Sequence, residues 1–441
     1  MSHCERGLHA DAQQLCWVGQ SMRLLSLNHD ILTMIVEEVF ATSPQALRQF
    51  SAACKLLRQC SMPTLFRTCV VMQRAPIKDA FIPDPLWPHI QHLVLRDVCP
   101  DWYAAVARRR LPDPATWPPL HYTEDPLLCG VFDGTTLGHA LRAMPKLRSL
   151  SVWCGENIDH GLPWHVLQVI LTLPHLHHFS CHHFHFSPVS VPSEDLVLGA
   201  PAPLTSFRYM LNAYRPIPRV HDPETNALSA VLKAYHATLE VLWLPTESTP
   251  FRTVLSLGWP SLRELRLRGE HILDGDPLIL VLGRMPKLRL LKLDFALPRD
   301  TPRPVWPESI AAPYSWPELQ DLQVSFPCAD DRLYAHLPSA LRRLSLRFFP
   351  HRIIDSWCTE RKRRWQFPSP NAEQLHDILR RCRYLALKHL EVEYHQDAYE
   401  ERLIQDITSL FPNLTSLKIL RYRRQGAADL DMVRPTAHLL T

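Results

Sequence analysis

The feature that most constrains this sequence is a short frame that recurs along most of its length. MPKLRSLSV at residues 144–152 nearly recurs as MPKLRLLKL at residues 285–293, with apolar side chains at the same positions. Nine further stretches keep the frame: one apolar residue, two others, and then two apolar residues separated by one. The first apolar positions of these copies are Ile90, Leu147, Leu176, Leu204, Leu239, Leu262, Leu288, Leu319, Leu341, Leu387 and Leu414. Self-similarity of this kind indicates a repeat architecture.

Each copy predicts a short strand, because its alternation places two apolar side chains on one face. Helical patterns precede several copies, at residues 163–174, 223–240, 370–383 and 398–412. A unit of one strand and one helix cannot bury its apolar faces alone, whereas stacked units can. The chain therefore resembles the leucine-rich repeat family over residues 87–422. The resemblance implies an α/β fold, an irregular solenoid with a parallel sheet on its concave face.

The repeats depart from the family pattern in two ways. The buried asparagine of the family occurs only once, as Asn212, so other groups must satisfy the backbone in most turns. Proline-rich insertions at Pro100–Pro126 and Pro298–Trp316 lengthen two of the units.

Two apolar helical stripes lie in front of the repeats. Asn28 is a good residue to cap a helix, and Ser43-Pro44 gives the preferred order of a cap and a first-turn proline. The stripes comprise Ile31, Leu32, Ile35, Val36, Val39 and Phe40, and then Leu47, Phe50, Cys54 and Leu57. A segment of this size buries little core by itself, so we expect apolar surface to remain for a partner.

This segment resembles an F-box of the fungal type. That frame runs Leu-Pro-x-Asp/Glu-Ile-Leu-x-x-Ile, continues to a cysteine followed by Lys or Arg, and closes with Pro-x-Leu-Phe-Arg. The matching residues are Leu27, Asp30, Ile31, Leu32, Ile35, Leu47, Cys54, Lys55, Leu57, Arg58, Pro63, Leu65, Phe66 and Arg67. Asn28 replaces the usual proline, and Ala53 stands where valine is common. The alternative is an ordinary helical cap for the solenoid.

The resemblance implies a disordered tail over residues 1–22, an F-box over 23–72 and a leucine-rich repeat domain over 73–441. Such a chain is the substrate receptor of a cullin-based ubiquitin ligase, which docks on a Skp-type adaptor and needs no cofactor or catalytic residue of its own. The expected adaptor contacts are Leu27, Ile31, Leu32, Ile35, Val39, Leu47, Phe50 and Leu57, some of which must instead form the core of the F-box. The alternative is a leucine-rich repeat scaffold that acts outside a ubiquitin ligase.

Outward positions of the predicted strands are the candidates for target binding. They include Trp153, Arg208, Met210, Trp243, Arg266, Arg268, Arg343 and Arg347. Trp, Met and Arg are enriched at the centres of protein interfaces. An arginine-rich patch between residues 266 and 347 favours an acidic or phosphorylated target, because guanidinium groups match those oxygens. The alternative is that neighbouring insertions cover these side chains.

Composition argues against several other classes of function. The chain has 441 residues, 48 basic and 44 acidic, so no strong field directs it to nucleic acid or to a membrane surface. Only 13 residues are glycine, and we find no nucleophile, phosphate-loop, zinc-protease or dinucleotide motif, so we expect no enzyme. The basic stretch Arg361–Arg364 is the one feature that favours nucleic-acid binding or a nuclear address, and a solvated loop is the simpler interpretation. The absence of an apolar leader predicts a cytoplasmic or nuclear location.

The histidine-rich stretch LPHLHHFSCHHFHF at residues 173–186 raises the question of a metal site. The repeat frame places Cys181 inward and His178, Ser180 and His182 outward. Two histidines at positions i and i+2 of a strand can share a metal, but no carboxylate lies beside them in sequence. The 12 cysteines show no CxxC spacing and are predicted to be reduced. We therefore predict a polar rim and no metal.

Overall fold

The computed structural model describes residues 24–79, 81–101, 104, 107–108, 111, 113–125, 127–154, 160–211, 222–270, 277–296, 304–311, 316–348, 369–382 and 385–422. The predicted tail, Asn212 and the basic stretch Arg361–Arg364 lie outside these residues. The chain divides into two compact units, residues 1–67 and 68–441. The predicted boundary between residues 72 and 73 falls inside a strand of the second unit.

The first unit is a three-helix bundle. A 3-10 turn at Leu24–Ser26 precedes helices α1 (His29–Thr42), α2 (Pro44–Ala52) and α3 (Lys55–Leu65). The predicted caps are confirmed: the Ile31 amide donates to Asn28 Oδ1 at 2.8 Å, and the Ala46 amide donates to Ser43 Oγ at 3.3 Å. Each bond satisfies an amide that a helix leaves unpaired at its start.

The bundle closes a small core of its own. The fully buried members of this core are Leu32, Val36, Leu47, Leu57 and Cys60. Polar contacts also join the ends of the bundle, because Glu37 on α1 accepts hydrogen bonds from Thr64 and from Arg67. Arg67 therefore joins the end of this unit to its first helix.

The second unit contains a parallel sheet of twelve strands. The twelve strands lie side by side in the order in which they occur along the sequence, and two further short strands pair separately. The strands are β1 (Thr68–Gln73), β2 (His92–Asp97), β3 (Ser149–Cys154), β5 (His178–His182), β7 (Ser206–Met210), β8 (Val241–Pro245), β9 (Glu264–Glu270), β10 (Leu290–Ala296), β11 (Asp321–Val324), β12 (Arg343–Leu346), β13 (His389–His395) and β14 (Ser416–Tyr422). The two short strands are β4 (Gly161–Leu162) and β6 (His185–Phe186).

Helices and 3-10 turns fill the connections. The helices span Gly134–Arg142, Trp164–Leu171, Asp222–Tyr235, Phe251–Ser256, Leu278–Leu282, Ala372–Arg381 and Glu400–Leu410. The 3-10 turns span Asp84–His89, Pro114–Thr116, Thr246–Ser248 and Arg332–His336. Four of the helices match the patterns predicted in front of the repeats. None of the helices that the structure describes combines the length and the apolar character of a membrane span.

The register explains why the recurring frame was visible in the sequence. Leu242, Leu265 and Leu291 are register partners on adjacent strands, and all three are buried. All but one of the eleven first anchors are also buried, and Leu414 at the C-terminal end of the described sheet is half-buried. These rows pack with the helices in one continuous core. The α/β class and the irregular leucine-rich-repeat-like solenoid are thus confirmed.

Candidate functional site

The sheet has a second face, whose side chains alternate with the buried rows. We call this surface the open face. Arg208 on β7, Trp243 on β8, Arg266 on β9 and Lys292 on β10 lie in one register row across it. Strand alternation points all four away from the core, and each is half-buried.

Arg208, Trp243 and Arg266 form what we call the Arg–Trp cluster. The guanidinium carbon of Arg208 lies 4.4 Å from the centroid of the Trp243 ring, and that of Arg266 lies 5.3 Å from it. The ring therefore interacts with cations from both flanking strands. Trp243 Nε1 also donates to Glu264 Oε1 at 2.6 Å, which fixes the plane of the indole. A cation over a tryptophan face contributes about 0.5–1 kcal/mol where exposed and about 2 kcal/mol where desolvated.

The two arginines of the cluster differ in their charge balance. Arg266 forms an ion pair with the buried carboxylate of Asp294 at 2.7 Å, and Asp294 also accepts a hydrogen bond from Gln323. Arg208 has no carboxylate partner among the residues that the structure describes. The charge of Arg208 also acts on His182. The pKa of His182 is lowered to about 4, by burial first and then by the charges of His183 and Arg208. Among the described residues, the guanidinium of Arg208 is therefore the cation of the cluster that no carboxylate pairs with.

A small pocket opens beside the cluster at the C-terminal ends of β7–β9. Its lining residues are Tyr209, Met210, Leu211, Trp243, Leu244, Pro245, Arg266 and Arg268. Five of the eight predicted target-binding residues thus meet in one place: the three of the cluster together with Met210 and Arg268. Lys292 extends the same row and has no ion pair among the described residues.

Trp153, another predicted target residue, lies two strands before Arg208, on β3. Its ring stacks on that of His182 on β5, with centroids 3.8 Å apart and planes within 9°. Trp153 keeps 37% of its surface exposed, so no insertion in the described structure covers it. The low pKa of His182 keeps the imidazole neutral at pH 7, which suits a flat aromatic stack.

Arg343 and Arg347 lie apart from the cluster and have acidic neighbours. Arg343 Nη1 is 2.8 Å from Asp321 Oδ2, and Arg347 Nη1 is 3.8 Å from Glu391 Oε1. Burial raises the pKa of Glu391, but hydrogen bonds from Lys418 and Ser345 and the charge of Arg347 outweigh it and lower the pKa overall. The predicted arginine patch from residue 266 to 347 is therefore interrupted by carboxylates. Strand alternation alone places Asp294, Asp321 and Glu391 on the open face. These carboxylates beside the arginines could therefore have been predicted from the sequence.

The structure also sorts the predicted adaptor contacts. Leu32, Leu47 and Leu57 are fully buried in the core of the bundle, so they hold the helices together and offer no surface to a partner. Leu27, Val39 and Phe50 pack against that core and are half-buried. Ile31 is 43% exposed, and Ile35 on the next turn is half-buried.

The apolar stripes predicted from the sequence omit Met34, which at 72% is the most exposed large apolar side chain described in the bundle. Ile31, Met34 and Ile35 follow the i, i+3, i+4 spacing of one side of a helix. The usual F-box frame leaves this position unspecified, which explains the omission. These three residues form what we call the α1 apolar side.

The histidine-rich stretch contributes no residue to the described group of three or more potential metal ligands. Its inward thiol, Cys181, is buried in the core as predicted, and His185 bonds to the buried carboxylate of Glu224. The described group whose side chains lie close enough to hold a metal ion comprises Asp97, Cys99, Cys129 and His160, all outside that stretch.

Comparisons with known proteins add little to this description. No protein-family model matches the chain, and no curated protein matches it. Among solved structures, it is similar to a chain from a crystal structure of a TLR13–ssRNA13 complex, with 14% sequence identity and a TM-score of 0.36. That match covers 81% of this chain and 47% of the other.

Proposed function

We propose that this chain is the substrate-recognition subunit of an SCF-type cullin ubiquitin ligase. The three-helix bundle docks on a Skp-type adaptor, and through it on a cullin, while the open face holds the target protein. Catalysis belongs to the recruited ubiquitin-conjugating enzyme, so the chain is not itself an enzyme. The receptor acts in the cytoplasm, the nucleus or both, by raising the effective concentration of target lysines near that enzyme.

The observation that carries the proposal is the α1 apolar side. The bundle satisfies its own core with Leu32, Val36 and Leu47, and yet it leaves Ile31 and Met34 exposed on one side of α1. An exposed apolar side on a helix that already has a core is typical of a helix-packing partner site. The same helix resembles the first helix of an F-box, and F-boxes bind Skp-type adaptors. We therefore propose a Skp-type adaptor as the partner.

The Arg–Trp cluster supports an acidic or phosphorylated target. Arg208 has no acidic partner among the described residues, and its guanidinium is held in place on the face of Trp243. A fixed planar cation of this kind matches the two oxygens of a carboxylate or phosphate. The pocket lined by Met210 and Arg268 offers an adjacent apolar and cationic surface for a neighbouring target side chain.

Co-purification with the Skp-type adaptor of the host tests the proposal. The native chain and an Ile31→Asp/Met34→Asp variant are each co-expressed with that adaptor. Both replaced side chains are exposed, so we expect the variant to fold and to lose the adaptor, because two carboxylates would be buried at the interface. Val197→Asp is the matched control, since Val197 is an exposed apolar side chain of the second unit, 57% exposed.

Adaptor retained by the native chain and by Val197→Asp, but lost from the double variant, would support the receptor function. A folded native chain that binds no adaptor would contradict it. That result would favour a leucine-rich repeat scaffold that acts outside a ubiquitin ligase.

A further inference from the structure

The strongest feature that the proposed function does not use is a buried polar cluster at the C-terminal ends of β2 and β3. Asp97, Cys99, Cys129 and His160 place one potential ligand atom each within 4.8 Å of all the others. All four residues are buried. They come from three places in the chain: Asp97 and Cys99 lie at the end of β2, Cys129 lies just after the Pro100–Pro126 insertion, and His160 directly precedes β4.

The two oxygens of Asp97 have different surroundings. Oδ1 accepts the backbone amide of Cys99 at 2.8 Å, which fixes the orientation of the carboxylate. Oδ2 lies 3.0 Å from His160 Nδ1 and 3.7 Å from the Cys154 thiol. The Cys99 and Cys129 thiols are both buried beside this carboxylate. One oxygen is thus held by the backbone, and the other faces an imidazole and a thiol.

We propose that Asp97, Cys99, Cys129 and His160 bind a structural zinc ion. Two thiolates, one imidazole nitrogen and one carboxylate oxygen form a donor set that suits tetrahedral zinc. The 3.0 Å separation of the nitrogen and oxygen is close to the edge of a tetrahedron with bonds of about 2.0–2.1 Å to zinc. On binding, the two thiols lose their protons to solvent, and the imidazole gives its nitrogen lone pair to the metal.

Hydrogen bonding within the protein does not fully account for the burial of this cluster. His160 is 0% exposed, and its Nε2 has no hydrogen-bond partner among the described residues. A buried polar atom left unpaired costs about 1–3 kcal/mol. No lysine or arginine forms an ion pair with Asp97 in the described structure. A bound zinc ion would compensate the buried charge of the Asp97 carboxylate, while Nε2 would keep its proton because the metal takes Nδ1.

The positions of the ligands give the ion a structural role. Cys99 directly precedes the proline-rich insertion Pro100–Pro126 and Cys129 closely follows it, so a shared metal closes the base of that insertion. His160 lies directly before β4, so the same metal would also bind the end of the connection between β3 and β4. A closed site with four protein ligands and complete burial leaves no position for a substrate. The metal would therefore tie Cys99, Cys129 and His160 to the C-terminal end of β2 and would not take part in catalysis.

Metal analysis of the full-length chain tests the proposal directly. The native chain is purified without chelator, under reducing conditions, and its metal content is measured by mass spectrometry. We expect about one equivalent of zinc per chain. Reconstitution of the stripped chain with Co²⁺ alone is expected to give a thiolate-to-cobalt charge-transfer band, which protonated thiols that bind no metal cannot produce.

A Cys99→Ser/Cys129→Ser variant should lose the zinc and the cobalt band. The matched control is Cys181→Ala, which removes another fully buried thiol outside the cluster and should keep both signals. A folded native chain with no stoichiometric zinc and no cobalt band would overturn the proposal. Because that measurement uses the native chain, it remains decisive even where the double variant does not fold. Adaptor binding by the bundle is a separate readout, so failure of the zinc proposal leaves the proposed function untouched.

Discussion

Replacement of Asn28 tests how the sequence starts its first helix. In the native chain Asn28 Oδ1 accepts the Ile31 amide at 2.8 Å, and the residue has φ −65° and ψ 162°. Asn28→Ala removes this cap and should cost about 1 kcal/mol. Asn28→Pro also removes the cap, but φ −65° is the value that a proline ring imposes.

Proline at this position loses no backbone hydrogen bond, because the Asn28 amide has no partner among the described residues. By restricting the unfolded chain it should regain about 0.4–1 kcal/mol. We therefore expect Asn28→Pro to be within about 0.5 kcal/mol of the native chain, while Asn28→Ala is clearly weaker. The proline of the usual F-box frame and the asparagine found here would then be two solutions to one problem.

Hydrogen exchange on the full-length chain measures the difference, with α1 amides as the readout. A loss of about 1 kcal/mol should speed their exchange about fivefold in Asn28→Ala. Exchange in Asn28→Pro should stay within about twofold of the native rate, and peptides from β9 should not change in either variant. The reasoning fails if Asn28→Ala exchanges at the native rate, or if both variants are accelerated equally.

Three further predictions concern the second unit. A double-mutant cycle of Arg208→Met and Trp243→Leu, followed by chemical denaturation, should give a coupling of about 0.5–1 kcal/mol; a value below about 0.3 kcal/mol would contradict the cation–π contact. The pKa of His182 is lowered from 6.5 to about 4, so its unfolded form binds more protons in that range and stability should fall as pH drops from 6.5 towards 4. The denaturation midpoint of His182→Phe should therefore fall less between pH 7 and pH 5 than that of the native chain. Gly269 has φ +140°, and the carboxyl group of Glu247 lies where a methyl group would be placed. Gly269→Ala should therefore lower the free energy of unfolding by about 1–3 kcal/mol. Gly258 has open space around it, so Gly258→Ala should be nearly neutral in the same denaturation assay.

The sequence predicts the strands well because the signal is local. In the copy at residues 285–293, Leu288, Leu291 and Leu293 are all fully buried, and the strand begins within that copy at Leu290. Alternation within a few residues determines which side chains point inward. The parallel register places the equivalent side chains of the next strand on the same face. The helix starts are local in the same way, which is why Asn28 and Ser43 could be identified as caps.

Contacts between distant residues could not be predicted in this way. Arg266 and Asp294 are 28 positions apart, and their pairing depends on the length of the connection between β9 and β10. The same holds for the polar cluster at the end of β2, where residues 97, 99, 129 and 160 meet only after two long connections fold back. Apolar periodicity also marks Ile31 and Leu32 as equally apolar, and only the crossing of three helices buries one and exposes the other.

The open face has two regions that differ in charge, whereas the sequence predicts one arginine-rich patch from residue 266 to 347. On β7–β10 the described open-face side chains include four cations and two carboxylates: Arg208, Arg266, Arg268, Lys292, Glu264 and Asp294. On β11–β14 and the residue after β12, three of each occur: Arg343, Arg347, Lys418, Asp321, Glu391 and Glu393.

An anionic ligand gains most where the protein has not already neutralised its own cations, since breaking an existing ion pair offsets part of the new attraction. Lys418 and Arg343 each lie 2.8 Å from a carboxylate oxygen, whereas Arg208 lies against the Trp243 ring and forms no ion pair within the described part of the chain. The charge balance therefore favours β7–β10, centred on the Arg–Trp cluster, as the docking region for the acidic or phosphorylated target that we propose. The wider span from residue 266 to 347 includes cations whose charge the sheet has already neutralised.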